Sequence, residues 1–212
     1  MNRREALKSI TLASGLVISS TTIVALMQLC REPQNAPWHP LFFTRDEAII
    51  IDEIADFIIP SGTIFGALNV GVPKVIDLLI ADMFDVRDGQ KFRQGMQTFA
   101  NHFKDRQKIT FIQADAKERQ SFIRQLYDLP KEEEKAVFDL LAQGMNHSLD
   151  LCEKYYLYNF LVTLRNFTII TYLTSEKVGK EVLSYDPIPG RYDGCVPLAE
   201  VGNVWSITYD NL

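Results

Sequence analysis

TRDEAIIIDEIADFIIPSG, residues 44–62, reads as one complete helix with both ends marked. Thr44-Arg45-Asp46-Glu47 has the form of a capping box. The Thr hydroxyl accepts a hydrogen bond from an orphan N–H of the first turn, and the Glu carboxylate reaches back to the amide of the cap. Ile50, Ile51, Ile54, Phe57 and Ile58 then recur at three- and four-residue spacing, which gathers them on one face. Pro60-Ser61-Gly62 stops the run, because proline has no N–H to give and its ring crowds the preceding turn.

The same pattern continues downstream. Ser61–Gly71 is a loop with three glycines, and Pro73 suits the first turn of the next helix. Val72, Val75, Ile76, Leu79, Ile80 and Met83 form an apolar stripe expected to be core. Asp88–Gln107 is a third helix, with Phe92, Met96, Phe99 and Phe103 on one side. Asp115–Leu129 is a fourth, carrying Phe122, Ile123, Leu126 and Tyr127. Pro130 opens a long helical stretch whose Glu132-Glu133-Glu134 run favours the positive end of the helix dipole. That stretch extends to about Ser175, with a break near Gly144–Ser148. Its second half, Tyr155–Tyr172, is strongly aromatic and apolar, with Tyr155, Tyr156, Tyr158, Phe160, Phe167 and Tyr172, and reads as the central buried helix of the domain. The fold class is therefore all-α: a single domain of about six helices over residues 44–183. Residues 31–43, with Pro33, Pro37 and Pro40, read as a linker.

Residues 184–212 change character. Pro187, Pro189, Pro197, Gly190, Gly194 and Gly202 are too many breakers for a helix. Tyr185, Tyr192 and Trp205 are too aromatic for a disordered tail. An irregular, extended arm lying on another surface satisfies both facts.

Residues 1–30 resemble a twin-arginine export signal. Arg3 and Arg4 precede the apolar run Ile10–Leu29, although Asn2 stands where Ser or Thr is usual and Ala6 where an aromatic is usual. As a helix the run would be about 30 Å long, enough to cross a bilayer core. Six Ser and Thr residues dilute it, which suits an export signal better than a permanent anchor. The expectation is folded export to the periplasm, with retention through residues 10–29 as the alternative. Cys30 invites a lipoprotein reading, and Leu29, in the place of a small residue, argues against it.

The chain has 22 basic and 27 acidic residues, a net charge of −5. Residues 1–30 hold Arg3, Arg4, Lys8 and Glu5, so the body carries 19 basic and 26 acidic residues, a net −7. Such a body lacks the cations that replace counterions on nucleic acid, and no nucleic-acid partner is expected. Cys152 and Cys195 are open to three readings: a disulfide between them, a bridge to another subunit, or two buried thiols. A disulfide would contribute roughly 4 kcal/mol in the chain-entropy description.

Motifs for catalysis are missing. The three histidines, His39, His102 and His147, have no second His at ligand spacing, and no Glu stands three residues before His102 or His147. No zinc-type Cys pair, phosphate loop, dinucleotide fingerprint or nucleophile elbow occurs. Asp46, Asp52, Asp56, Asp77 and Asp82 read as solvated helix faces, and His102 as a surface or capping residue. Neither a catalytic residue nor a metal ligand is assigned.

Two segments carry a family resemblance. Leu41-Phe42-Phe43-Thr44 through Ile58-Ile59-Pro60 to Gly71-Val72-Pro73-Lys74-Val75-Ile76-Asp77 resembles the opening of the gluconate 2-dehydrogenase subunit 3 family. Tyr172-Leu173-Thr174-Ser175-Glu176, then Tyr185-Asp186-Pro187-Ile188-Pro189-Gly190-Arg191-Tyr192-Asp193-Gly194-Cys195, resembles its closing signature. The resemblance implies a non-catalytic small subunit without a cofactor of its own. Its partner would be a large FAD-bearing dehydrogenase acting on sugars, sugar acids or glycosides. The small subunit would carry that partner through the twin-arginine machinery, and electrons would pass to a cytochrome or quinone-linked acceptor. Pro187, Pro189, Arg191, Tyr192, Cys195 and Trp205 would then face the partner. Two competing readings are a membrane-anchored structural protein, and an enzyme whose site is built from dispersed carboxylates and His102.

Overall fold

The computed structural model describes residues 38–144 and 149–184 together with residues 195, 197, 203 and 204; of residues 149–151 it describes the backbone alone. Seven α-helices follow one another: α1 Arg45–Ile58, α2 Val72–Met83, α3 Val86–Gln107, α4 Ala116–Tyr127, α5 Lys131–Gln143, α6 Leu149–Leu173 and α7 Glu176–Glu181. No strand occurs among the described residues, so the all-α expectation stands.

The helix ends are set by side chains the sequence displays. Thr44 and Glu47 complete the capping box of α1, and Asp115 and Glu118 that of α4. Asp85 caps α3 by accepting from the Asp88 amide at 2.8 Å, so this helix begins two residues earlier than the apolar stripe suggested. Gly144, at φ 77°, ends α5 at the expected break. The additional helix, α7, is capped by Ser175 and buries Val178.

α6 is the centre of the bundle. It packs most extensively on α3 and also touches α1, α2 and α5. The α3–α6 crossing is close because residue 95 is glycine. A Cβ there would overlap the Tyr156 carbonyl oxygen and stand 2.5 Å from Phe160 Cβ. Around the crossing lies a chain of aromatic rings in edge-to-face contact. Phe160 meets Phe92 at 5.0 Å, and Phe99 and Phe103 each meet Phe111 and Phe122 at 5.1–5.3 Å. Each of these buried rings contributes on the order of 2–3 kcal/mol by leaving water. Tyr127 donates to the Leu161 carbonyl at 2.9 Å, and burial pushes its phenol pKa up.

α2 departs from its expected stripe. Val72, Ile76 and Ile80 are core, but Val75 and Met83 are exposed. Asp77, expected on a solvated face, is 1% exposed. Its carboxylate accepts three backbone N–H groups, from Leu41 (2.6 Å), Phe42 (3.0 Å) and Phe43 (3.0 Å). A buried carboxylate needs such donors, and these three satisfy it. Arg93 of α3 secures the same segment. It donates to the Phe42 carbonyl at 2.8 Å and to both Glu47 oxygens, and it lies 4.5 Å from the Phe42 ring centroid. Phe42 and Phe43, which read as linker, thus pack on Phe92 as part of the body.

Candidate functional site

The loop between α1 and α2 is held to the ends of α6 and α7 in a hydrogen-bonded frame that carries several exposed aliphatic side chains. The frame begins with the loop between α1 and α2. There Ala67 donates to the Ile59 carbonyl at 2.8 Å and Val72 to the Ala67 carbonyl at 3.1 Å. Asn69 Oδ1 accepts from Ser61 Oγ at 2.6 Å and from the Gly66 amide at 2.8 Å. Only glycine fits at 66, since a Cβ would stand 2.7 Å from the Pro60 carbonyl carbon and 2.8 Å from the Ile59 oxygen.

The loop is hung on the end of α6 and on α7. Tyr172 donates its hydroxyl to the Phe65 carbonyl at 2.7 Å, and the Lys177 ammonium sits 3.6 Å above the Phe65 ring. The chain beyond α7 returns to the same place. Ser184 donates its amide to the Val204 carbonyl and its hydroxyl to the Asn203 carbonyl, both at 2.9 Å. Asn203 donates its side-chain amide to the Val182 carbonyl at 2.8 Å. Between loop and helix runs a groove of about 340 Å³, lined by Ile64, Phe65, Asn69, Glu181 and Val182 among others.

Ile64, Leu68, Ile170, Leu173 and Val204 are exposed on the elements of this end, Val204 by 75% and Ile64 by 55%. Large apolar side chains are exposed elsewhere too, among them Leu41, Met83 and Val86, as is usual on a protein surface. None of Ile64, Leu68, Ile170, Leu173 and Val204 was singled out as functional by sequence reasoning. Periodicity assigns apolar residues to a core and does not reveal which ones a loop or helix end leaves outside.

The structure does not assemble a site from the dispersed carboxylates. His102 lies in a cleft of about 570 Å³ between α3, α4, α5 and α6, with its Nε2 3.9 Å from Glu153. Glu133 and Tyr158 also line the cleft, and burial followed by the Glu133 charge pushes the Tyr158 phenol pKa up. None of Asp46, Asp52, Asp56, Asp77 and Asp82 lines it. Asp52 is half-buried, and its pKa is raised to about 6, first by burial and then by Glu53, against the pull of Lys74. Among the described residues no group of three or more His, Cys, Asp or Glu could hold a metal ion.

Arg3, Arg4, Pro187, Pro189, Arg191, Tyr192 and Trp205 lie outside the described residues. So does Ile10–Leu29; among the described residues no helix is long and apolar enough to cross a membrane. Cys195 is exposed and Cys152 half-buried.

Residues 45–190 match the profile of the protein family described as Gluconate 2-dehydrogenase subunit 3. No curated protein and no solved structure matches the chain.

Proposed function

The chain belongs to the gluconate 2-dehydrogenase subunit 3 family, and from that premise we propose that it is the non-catalytic small subunit of a flavin-dependent dehydrogenase acting on a sugar, sugar acid or glycoside. In this reading it binds and stabilises the large subunit, which holds the FAD. It carries that subunit, already folded, to the periplasm on the signal headed by Arg3 and Arg4. Electrons leave the flavin for a cytochrome or quinone-linked acceptor, so the redox chemistry belongs to other chains.

The observation that carries the reading is the family match over residues 45–190, which spans the helical body and reaches into the closing segment. The exposed aliphatic end of the bundle supports it, because an accessory subunit needs a face to give its partner. Pro187, Pro189, Arg191, Tyr192, Cys195 and Trp205 are assigned to that contact. Proline lowers the ordering cost of binding, Tyr and Trp anchor interfaces, and Arg pairs bidentately with carboxylates.

The test is a pull-down of the full-length chain from its native host, with mass spectrometry and a visible spectrum of the eluate. Recovery of a large flavoprotein whose dye reduction depends on a sugar supports the reading. A colourless chain recovered alone refutes it.

A further inference from the structure

Single apolar side chains in water are ordinary, but α2 shows more than that. Nine of its twelve residues, VPKVIDLLIADM, are apolar. A helix apolar on every side is normally covered on every side. Only one side of α2 is covered. Val72, Ile76 and Ile80 face the core, and the Asp77 carboxylate is taken up by the amides of residues 41–43. The opposite face carries Lys74, Val75, Leu78, Ala81 and Asp82, all of them exposed. Two more exposed aliphatic residues flank it: Leu41, on the segment bonded to Asp77, and Val86, three residues past the helix end.

The charges on this face are arranged about its centre. Lys74, Leu78 and Asp82 follow one another at four-residue spacing and form a single ridge along the helix. The ammonium-bearing residue stands about 6 Å along the axis before Leu78, and the carboxylate-bearing residue about 6 Å after it. Neither joins an ion pair among the described residues, although Lys74 is near enough to pull on the Asp52 carboxyl. Such a ridge is complementary to itself. When two copies of α2 cross antiparallel at Leu78, each Lys74 meets the Asp82 of the other copy. That reciprocity is the rule of a two-fold interface, where residue i meets j and j meets i. Ala81, being small, lets the second helix come close. An unrelated apolar partner gives no reason for opposite charges at equal distances from one leucine.

We propose that the outer face of α2 is a two-fold dimer interface and that its occupant is a second copy of this chain. The inference goes beyond the small-subunit reading and does not rest on it. Burial of Val75 and Leu78 from both copies supplies the attraction. The Lys74–Asp82 pairs add little affinity at an exposed rim, but they set the direction. Parallel helices in register would put Lys74 on Lys74 and Asp82 on Asp82, whereas the antiparallel pair joins opposite charges twice. A contact centred on a three-turn helix is at the small end of specific interfaces, so the dimer forms at micromolar concentration.

The experiment is sedimentation equilibrium of the full-length chain, loaded from about 1 to about 200 µM so as to bracket a micromolar dimer. Wild type is compared with Leu78→Glu, Lys74→Glu, Asp82→Lys and the double reversal Lys74→Glu/Asp82→Lys. Leu78→Glu sets two carboxylates against each other at the crossing and should raise the dimer Kd at least about a hundredfold. Each single reversal should raise it about tenfold, and the double reversal, which rebuilds both pairs with signs exchanged, should return it to within about threefold of wild type. Circular dichroism should show wild-type helix content in every variant, since the replaced side chains are exposed. If Leu78→Glu does not fold, the charge reversals carry the test alone. A wild type that stays monomeric throughout overturns the inference, and so does a dimer that a folded Leu78→Glu leaves intact. A double reversal as weak as the single ones overturns it too, because the face then does not meet its own copy. A monomeric wild type whose Leu78→Glu variant no longer captures a dehydrogenase subunit gives the face to that subunit instead. Capture by the wild type is read separately, so the small-subunit reading stands or falls by itself.

Discussion

Replacing Asp77 with Ala removes one acceptor group and leaves three backbone donors behind it, those of Leu41, Phe42 and Phe43. They are not equal. The bond from Phe43 is buried, while those from Leu41 and Phe42 are partly open, so water can replace the carboxylate for the latter two. A buried donor left without a partner costs roughly 1–3 kcal/mol, and a hydrogen bond to a charged group is worth about 1.5–3 kcal/mol net. Taking the full penalty for Phe43 and a small remainder for the other two gives a loss of about 3 kcal/mol. Asn should cost less, about 2 kcal/mol, because one oxygen still serves the Phe42 and Phe43 amides while the new NH2 opposes the Leu41 amide. For a domain of this size about 3 kcal/mol lowers the melting midpoint by roughly 6–12 °C. Urea titration followed by circular dichroism measures the free energies, and hydrogen exchange at Phe43 reports the site itself. If Asp77→Ala costs under about 1 kcal/mol, or leaves Phe43 protected, the carboxylate does not hold this segment.

Three further outcomes are expected. Asp52 has a folded pKa near 6, above its ordinary value of 3.8, so the native state binds the extra proton and its stability falls as pH rises from about 4 to about 6. At neutral pH the full shift would correspond to about 3 kcal/mol, and partial solvent exposure reduces this to about 1 kcal/mol. Asp52→Asn should be more stable than wild type by that amount at pH 7 in a urea titration, and the gap should close by pH 4. Gly95→Ala sets a Cβ against the Tyr156 carbonyl and Phe160, and should cost at least about 2 kcal/mol by overpacking, read as a lower melting midpoint. Replacing Arg3 and Arg4 together with Lys should strand the partner dehydrogenase in the cytoplasm; full periplasmic activity in that strain would sink the carrier role.

Much of the bundle is legible in local chemistry. Thr44/Glu47 and Asp115/Glu118 announce their helices because a capping box involves residues three apart, and the Tyr155–Tyr172 segment announces its central place by its density of aromatic and aliphatic residues. Asp77 is not legible in that way. Its burial depends on donors from residues 41–43, more than thirty positions away, and no periodicity records a backbone amide. Gly95 is similar: its purpose is visible only once α6 lies across it. The hydrogen bond from Asn203 to Val182 joins residues about twenty apart through an exposed side chain, which no pattern of apolar spacing marks. The family was within reach because it is carried by contiguous motifs. The exposed aliphatic side chains beside the α1–α2 loop were not, because they stand where a loop and two helix ends converge.

The Asp77 cradle also gives the domain a seam. At Leu41–Phe43 the segment is tied to α2 by three backbone amides that meet one carboxylate. A leader or affinity tag joined ahead of Leu41 keeps those three amides in the chain. Because the donors are backbone amides, side-chain changes at Leu41, Phe42 and Phe43 leave them in place, whereas a chain that starts at Thr44, or carries proline at those three positions, takes all three from the buried Asp77 carboxylate.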